Sequence, residues 1–284
     1  MSGWLKDPRD ERDYLHPTVG LAELPERVDL SALVPSVRNQ GSMNSCVGFG
    51  VGSALGAFAR HLGIYQEWYS PQQIWNWGRE ARGMLNMNVG VYPRDTLDRL
   101  VKNGVMMESG WPYSASKLDT DHPDTRKDKA IDYGDLAYYR CVDGVEGICS
   151  ALAEGHVVAI GSPWFQKWGS LSPAGTLSSV SKTDTTVGGH EYLIYGYDKN
   201  EGPGVFYCQN SWGGTWGDNG RFKLYFSAIP VFKELWGYDA FYVTFSKPVD
   251  PEPIPEPTPE PEPIPEPESW WIKLLKRILS WLRR

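Results

Sequence analysis

Hydrophobic residues are spaced differently in the two halves of the chain. Apolar side chains crowd residues 46–61, and apolar positions at helical spacing recur in residues 71–82 and 93–103, which predicts three helices. After Tyr138 the pattern changes to short apolar runs bounded by turn residues, which predict strands. The predicted strands are residues 157–160, 191–197, 205–209, 221–226 and 240–245. Helices first and strands second indicate an α+β protein of two lobes, with a cleft between them.

A cysteine at the start of the first predicted helix is the first candidate for chemistry. Cys46 follows a loop rich in glycine and serine, and the positive end of a helix dipole stabilises a thiolate there. An inert buried thiol is the alternative for such a residue taken alone. His190 precedes the second predicted strand, and Asn210 follows the third. A nucleophile, an acid–base group and an orienting group are what acyl transfer by a thiolate requires, which favours catalysis.

The sequence around these residues resembles the papain family of cysteine peptidases. The resemblance covers residues 27–246, and the block that begins at Asn210 is its most specific part. The matching stretches are Asn39-Gln40-Gly41-Ser42, Ser45-Cys46, Tyr69-Ser70-Pro71-Gln72-Gln73, Glu108-Ser109-Gly110-Trp111-Pro112-Tyr113, His190, Asn210-Ser211-Trp212-Gly213, Trp216-Gly217 and Asn219-Gly220. The resemblance implies a two-lobed papain-like fold, with a helical N-terminal lobe, an antiparallel β-rich C-terminal lobe and the active-site cleft between them.

The resemblance also implies a role for each matched residue of the site. Cys46 is expected to be the nucleophile, and His190 the acid and base. Asn210 is expected to orient His190, and Trp212 to shield the hydrogen bond between them from water. Gln40 is expected to donate a hydrogen bond to the oxyanion, beside the backbone N–H of Cys46. No metal and no cofactor are implied.

Three residues are expected to contact a polypeptide substrate, namely Gly90, Trp164 and Trp212. In the family, a glycine-rich turn at the position of Gly90 pairs with the backbone of an extended substrate, and an ordinary loop glycine is the alternative. Trp164 could line the strand side of the cleft or belong to the core.

Around its nucleophile the chain departs from the family pattern. The usual Cys-Gly-Ser-Cys-Trp is replaced by Met43-Asn44-Ser45-Cys46-Val47, so the usual disulfide partner and the following aromatic residue are missing. Glu191 stands after His190, where a small residue is usual, and the alternation of side chains along a strand predicts that it faces solvent. These departures concern the pH optimum and the subsite beside Cys46, and they leave the reaction class unchanged.

Composition and charge narrow the possible ligands, cysteine states and cellular locations of the protein. The net charge of −7 argues against nucleic-acid binding by the whole chain. The spacing of Cys141, Cys149 and Cys208 matches no zinc pattern, and both a Cys141–Cys149 disulfide and a fully reduced chain stay open. The N-terminus lacks the apolar region of a signal peptide, so we expect cytoplasmic synthesis of a monomer, with a later place at a membrane or in the cell envelope left open.

The N-terminal residues 1–27 are charged, and we expect them to form an extended arm along the body. Only 45 residues precede Cys46, which is too few for the folded inhibitory prosegment that many papain-like enzymes carry. The chain therefore resembles the short, prosegment-lacking forms of bacteria and their viruses. The peptidase domain is expected to span residues 28–248.

Two further segments follow the expected peptidase domain. Residues 249–268 alternate proline with glutamate, which predicts a semi-rigid, extended spacer. Residues 269–284 carry five positive charges and no acid, and their apolar side chains share one face of a helix. Such a cationic amphipathic helix is typical of segments that lie on an anionic membrane surface. Docking on a protein surface is the alternative.

The sequence therefore predicts a cysteine endopeptidase that hydrolyses peptide bonds through a Cys-His-Asn site and a thioester, tethered to a membrane by its last helix. A hydrolase of cell-wall peptides, or lysin, would use the same residues. So would an enzyme that transfers the acyl group to an amine other than water. A catalytically inactive papain-fold binding protein is disfavoured because all four catalytic positions are present.

Overall fold

The computed structural model describes residues 3–11, 13–64, 68–169, 175–246, 277 and 279–281. The chain forms two compact units, Met1–Pro248 and Val249–Arg284. In the second unit Arg277 and residues 279–281 are helical and exposed. The predicted spacer at 249–268 and most of the predicted amphipathic helix at 269–284 lie outside the described residues. Within the described ranges, no helix has both the length and the apolar character that crossing a bilayer requires.

Three helices form the first half of the first unit, where the sequence predicts them. A short strand, β1 (Arg27–Asp29), comes before α1 (Cys46–His61), α2 (Pro71–Glu80) and α3 (Pro93–Asn103). Proline starts both α2 and α3, where its missing N–H removes no helical hydrogen bond. Ser70 caps α2, because its hydroxyl oxygen accepts a hydrogen bond from the N–H of Gln73 at 3.1 Å.

An antiparallel sheet with two helices forms the second half. Its elements are β2 (Val105–Met106), β3 (Ala130–Ile131), β4 (Ala137–Arg140), α4 (Val145–Ala153), β5 (Val158–Phe165), β6 (Thr186–Asp198), β7 (Val205–Gln209), β8 (Arg221–Tyr225), α5 (Ala228–Leu235) and β9 (Asp239–Thr244). The strand order is β4-β9-β5-β6-β7-β8, with β1 also paired to β6, while β2 and β3 form a separate pair. The sequence did not predict α4 and α5, which have only nine and eight residues.

The central strand β6 is covered on both faces. One hydrophobic cluster lies between the sheet and the helices of the first half, and a second lies on the opposite face with α4 and α5. Residues 189–197 are therefore all buried. The expectation that Glu191 faces solvent is wrong, since it is only 1% exposed. Alternation between a buried and a solvated side applies to a sheet with one open face, and this sheet has none at β6.

The N-terminal segment runs along the body and is fixed at Asp13. Arg94, at the start of α3, binds the Asp13 carboxylate through Nε at 2.8 Å and through Nη2 at 2.6 Å. Arg140 binds the same carboxylate through Nε at 2.8 Å. The three side chains are largely removed from water. Breaking a buried ion pair by removing one partner commonly costs about 3–5 kcal/mol, so Asp13 is a firm anchor.

Candidate active site

Cys46, His190 and Asn210 come together where α1 packs against the sheet. Cys46 is the first residue of α1, and His190 lies in β6. Asn210 directly follows β7, which pairs with β6. The imidazole Nε2 of His190 lies 2.7 Å from Oδ1 of Asn210. The main-chain N–H of Glu191, the next residue after His190, donates a hydrogen bond of 3.3 Å to Cys46 Sγ.

The hydrogen bonds of Asn210 assign the proton of the His190 imidazole. The N–H of Ser211 donates to Asn210 Oδ1 at 2.8 Å, which assigns that atom as the amide oxygen. Because Oδ1 accepts, the Nε2 of His190 that is bonded to it must carry the proton. The other nitrogen, Nδ1, is buried and has no hydrogen-bond partner within the described part of the chain. Nδ1 is therefore available to accept a proton from a thiol.

Burial disfavours the charged forms of both the thiol and the imidazole. Burial, and then the carboxyl group of Glu191, raise the pKa of the Cys46 thiol, against the opposing effect of the backbone N–H of Glu191 and of two N–H groups at the start of α1. Burial lowers the pKa of His190 to about 4, although the Asn210 hydrogen bond acts in the opposite direction. Because burial is the main cause in both cases, access of water or substrate would favour the ion pair of thiolate and imidazolium.

The side-chain amide of Gln40 is held at both of its ends. Its Oε1 accepts a hydrogen bond from Ser211 Oγ at 2.6 Å, and its Nε2 donates to the carbonyl of Met43 at 2.8 Å. The carbonyl of Gln40 also accepts a hydrogen bond from the Tyr113 hydroxyl at 2.7 Å. A primary amide has two N–H groups, so one N–H of Gln40 remains for a substrate oxygen. The bonds to its neighbours fix the direction of that donor.

Two tryptophan rings enclose the imidazole of His190. Trp212 lies over it at an angle, with ring centroids 4.8 Å apart, and Trp164 meets it edge-on at 4.9 Å. Trp212 is half-buried, and the shielding of the bond between His190 and Asn210 that is expected of it stays a prediction. Trp164 is 3% exposed and is part of the second hydrophobic cluster. The substrate contacts predicted for the two tryptophans stay predictions.

The N-terminal segment lies across this site. The N–H of Gly3 donates to the carbonyl of Gly189 at 3.0 Å, and the N–H of Val91 donates to the carbonyl of Gly3 at 3.1 Å. The N–H of Leu5 in turn donates to the carbonyl of Val91 at 3.0 Å, so that Trp4 and Val91 form a parallel bridge. The segment is thereby paired with the helical half through Val91 and with the sheet through Gly189.

Gly3 is the residue of the segment that lies against the thiol. A β-carbon built on Gly3 would stand 2.5 Å from Cys46 Sγ, closer than real side-chain atoms approach, so a residue with a side chain does not fit there. The segment therefore covers the thiol and contributes to the burial that raises its pKa. Val91, the neighbour of Gly90, pairs with the backbone of the N-terminal segment. The substrate contact predicted for Gly90 stays a prediction.

Two features of the site were not predicted from the sequence, namely the segment that covers the thiol and the acid that binds this segment. Trp4 is 2% exposed, and its indole Nε1 donates to Asp239 Oδ2 at 3.0 Å. A lone tryptophan in a charged stretch was the available signal, because a large aromatic side chain is usually buried against something. Asp239 offered no signal, since a single aspartate before a strand belongs to no motif.

The pairing of cysteines, which the sequence leaves open, has a structural answer. All four cysteines lie in the described part of the chain and are free, so the disulfide considered between Cys141 and Cys149 is not formed. Among the described residues, no group of three or more His, Cys, Asp or Glu side chains is arranged to hold a metal ion.

A thiol at a helix start, an imidazole oriented by an amide and a fixed N–H donor are the parts of a cysteine protease site. Residues 24–229 match the family described as papain family cysteine protease. The chain therefore belongs to the papain family, and the predicted two-lobed α+β papain-like fold and the predicted cysteine endopeptidase are confirmed.

Individual relatives are distant in sequence. An uncharacterized peptidase C1-like protein of Acanthamoeba polyphaga mimivirus is 23% identical over 253 residues, which are 78% of this chain and 80% of that protein. Cysteine proteinase 3 of Entamoeba histolytica is 29% identical over 70% of this chain, which spans only 62% of that longer protein. Among solved structures, xylellain, a cysteine protease from Xylella fastidiosa, has a TM-score of 0.75 and 26% identity, covering 87% of this chain and 96% of its own.

Proposed function

We propose that the protein hydrolyses peptide bonds of polypeptides through a thioester formed on Cys46. The main support is the hydrogen bond of 2.7 Å between His190 Nε2 and Asn210 Oδ1. This bond leaves the unprotonated Nδ1 of His190 for proton transfer while the adjacent Glu191 N–H holds the sulfur of Cys46. The arrangement suits a thiol nucleophile with its own base.

Each proposed step uses a group of this chain. Cys46 transfers its proton to His190 Nδ1, and the sulfur attacks the carbonyl carbon of the scissile bond. The oxyanion accepts hydrogen bonds from the free Nε2–H of Gln40 and the backbone N–H of Cys46. His190 then returns the proton to the leaving amine as the C–N bond breaks and the thioester forms. Water, deprotonated by His190, attacks the thioester and releases the acid and the thiol.

Labelling by a peptidyl epoxide, read by intact mass, tests this proposal. Because Gly3 covers the thiol, the experiment compares the wild type with Trp4→Ala, which loses the anchor of the covering segment. We expect one adduct on Trp4→Ala, none on Trp4→Ala with Cys46→Ala, and labelling slowed about 10²-fold when His190→Ala is added. Cys149→Ala is the matched control and keeps the adduct. A folded, reduced Trp4→Ala protein that forms no adduct would rule out the proposed nucleophile.

We further propose that residues 269–284 attach the enzyme to an anionic membrane surface. The support is their composition, with five basic residues, no acid, and apolar residues on one face of the predicted helix, including Trp271, Leu275 and Ile278. Leu279 and Trp281, which are described, are 54% and 79% exposed, so their apolar surface is available.

Co-sedimentation with vesicles tests this attachment. The full chain should pellet with vesicles of phosphatidylcholine and phosphatidylglycerol and stay in solution with phosphatidylcholine alone. Trp271→Glu with Leu275→Glu should abolish pelleting, while Ser280→Ala, on the polar face, should leave it unchanged. Equal pelleting of the glutamate variant would exclude the helix as the anchor.

A further inference from the structure

A small polar cavity lies beside the catalytic asparagine, between the start of α1 and the strands β6 and β7. Its walls include Phe49 and Gly50 of α1, Glu191 of β6, Gln209 of β7, and Asn210. The volume of this cavity is about 10 Å³. A site for one buried water molecule needs roughly 10–15 Å³, so the cavity has room for a single water and for little more.

Three buried side chains on the wall of this cavity each have one polar atom without a hydrogen-bond partner in the described part of the chain. These atoms are Glu191 Oε1, Gln209 Oε1 and Asn210 Nδ2. The three residues are only 1%, 4% and 3% exposed. Arg38, which also lines the cavity, adds its Nη1 as a fourth such atom. Polar atoms removed from water without a partner are unfavourable, so this cluster points to a bound polar ligand.

The surroundings of Glu191 and Asn210 place their partnerless atoms at the cavity. Glu191 Oε1 lies against Gly50 on the cavity wall, because a β-carbon built on Gly50 would stand 2.5 Å from this oxygen. The Oδ1 of Asn210 is directed toward His190 Nε2, so its Nδ2 lies on the opposite side of the amide. The free oxygen of the acid and the free N–H groups of the catalytic amide therefore lie at the same cavity.

Water is the ligand that matches the hydrogen-bonding character of these four atoms. Asn210 Nδ2 and Arg38 Nη1 are donors. Glu191 Oε1 is an acceptor, and so is Gln209 Oε1, since the Nε2 of Gln209 donates to the carbonyl of Pro35 at 3.1 Å. A water molecule can accept two hydrogen bonds and donate two, and buried waters make about three. A cation would be repelled by the two donors, and an anion by the two acceptors.

We propose that this cavity binds one structural water that connects Glu191 to the amide of Asn210, and that Glu191 is thereby a positioning residue for the catalytic histidine. This inference rests on the proposed function, since it concerns the same Cys-His-Asn site. The water accepts a hydrogen bond from Asn210 Nδ2 and donates one to Glu191 Oε1. The amide of Asn210 is then held on both sides, because the N–H of Ser211 donates to its Oδ1 at 2.8 Å.

The direction of the Asn210 amide decides which nitrogen of His190 carries the proton. If the amide turned over, its Nδ2 would face His190 Nε2, and a donor at that place favours the imidazole that is protonated on Nδ1. An imidazole of that form cannot accept the proton of the Cys46 thiol. Glu191 can hold the water in either of its protonation states, because the carbonyl oxygen of a protonated acid is still an acceptor.

Two substitutions of Glu191 separate this role from the effect of its charge. Glu191→Gln and Glu191→Met both remove the carboxyl group, but only glutamine keeps an acceptor at the cavity. Nitrogen NMR of the isotopically labelled full chain at pH 7 identifies the protonated nitrogen of His190, whose imidazole is neutral there because burial lowers its pKa to about 4. The wild type and Glu191→Gln should be protonated on Nε2. In Glu191→Met the population protonated on Nδ1 should rise about tenfold.

A crystal structure of the full chain, at a resolution that shows ordered water, tests the ligand of the cavity. We expect one water within about 2.7–3.2 Å of both Asn210 Nδ2 and Glu191 Oε1. The water should remain in Glu191→Gln and be lost in Glu191→Met. Ser53→Ala, which changes another residue of the cavity wall, is the matched control and should keep the water. If Glu191→Met does not fold, Gln209→Met, which removes the second acceptor, takes its place in each comparison.

Three results would overturn the proposal. They are a direct hydrogen bond between Glu191 and Asn210 Nδ2, an anion in the cavity, and a His190 imidazole that stays protonated on Nε2 in Glu191→Met. Peptide hydrolysis in a Trp4→Ala background is measured in parallel, and kcat should be about tenfold lower for Glu191→Met than for Glu191→Gln at similar KM. Equal kcat values would contradict the positioning role alone. No hydrolysis by any variant, despite the expected water and imidazole signals, would contradict the proposed function alone.

Discussion

The main-chain N–H of Glu191 holds the sulfur of Cys46 at 3.3 Å, while the side chain of the same residue acts against ionisation of that sulfur. After burial, the Glu191 carboxyl is the largest cause of the raised pKa of the Cys46 thiol. Gly50 in α1 allows this approach, because a β-carbon there would lie 2.5 Å from Glu191 Oε1. The buried carboxyl group of Glu191 therefore raises the pKa of the nucleophile Cys46.

Glu191→Gln should make Cys46 more reactive at a given pH. The amide has nearly the same shape and no negative charge, so the pKa of the thiol falls while its hydrogen bond to the backbone remains. The rate of Cys46 alkylation by iodoacetamide as a function of pH, in a Trp4→Ala background, measures this. The midpoint of the profile should move to lower pH. An unchanged midpoint would mean that the carboxyl group does not act on the thiol.

Glu191→Gln should also stabilise the fold, and more strongly at higher pH. Burial raises the pKa of Glu191 well above its usual value, with Asp239 and Asp7 acting in the same direction. A raised pKa in the folded state stabilises the protein fully only below the pKa of the unfolded chain, and that stabilisation is lost as the pH rises. Thermal unfolding at pH 5 and pH 8 tests this, with a gain of about 2–4 °C for each kcal/mol recovered. A gain that is larger at pH 5 would contradict the assignment.

Gln40→Ala should lower kcat on a peptide substrate by about 10²–10³-fold, as expected for loss of one oxyanion donor. Ser211→Ala is the matched variant, because it removes the 2.6 Å hydrogen bond to Gln40 but leaves the donor in place. The loss in kcat caused by Ser211→Ala should be at least tenfold smaller than the loss caused by Gln40→Ala. Steady-state kinetics in a Trp4→Ala background measure kcat for both variants. Equal losses would show that Gln40 acts only through packing and not as a donor.

Closure of the cleft should weaken as the pH rises from about 4 to about 7. Burial and the nearby Asp239 carboxylate raise the pKa of Asp7 to about 7 from an ordinary value of 3.8, and Arg94 and Arg140 act in the opposite direction. The closed form therefore binds the Asp7 proton more tightly than an open form does. Closure is most favourable below about pH 4, it loses up to about tenfold per pH unit between about pH 4 and 7, and it levels off above pH 7.

Alkylation of Cys46 at a series of pH values from about 4.5 to 8 measures this effect. The rate for the wild type is divided by the rate for Trp4→Ala, so that ionisation of the thiol itself cancels. The ratio should rise with pH up to about 7 and then level off. Asp7→Asn imitates the protonated acid and should make the ratio independent of pH. A ratio that falls with rising pH, or one that rises equally in Asp7→Asn, would exclude Asp7 as the titrating group.

Much of the fold followed from local signals in the sequence. The apolar crowding of residues 46–61 and the apolar positions at helical spacing in the next two segments predicted α1, α2 and α3 within two residues at each end. The strands β5 to β9 were found as apolar runs, although β5 and β6 are longer than predicted. The short elements α4, α5 and β4 were missed, because nine or fewer residues give too little periodicity to separate from loops.

The candidate site, like the fold, could be predicted from the sequence only in part. Cys46, His190, Asn210 and Gln40 stand in sequence blocks that could be recognised, and the structure brings them together. The environment of Glu191 could not be predicted, because it depends on how many layers cover the sheet. The bond between Trp4 and Asp239 joins residues 235 positions apart, and neither has a pattern that points to the other.

The anchoring of Asp13 by Arg94 and Arg140 determines how far the covering segment can travel. When residues 3–7 leave the cleft, they remain tied to a point a few residues away. A ligand on so short a tether presents itself at an effective concentration of roughly millimolar, whatever the concentration of the protein. Any peptide substrate must compete with the tethered segment at this effective concentration. Dilution of the protein does not weaken that competition. One cut between residues 7 and 13 would turn the same segment into a free peptide at the concentration of the enzyme itself.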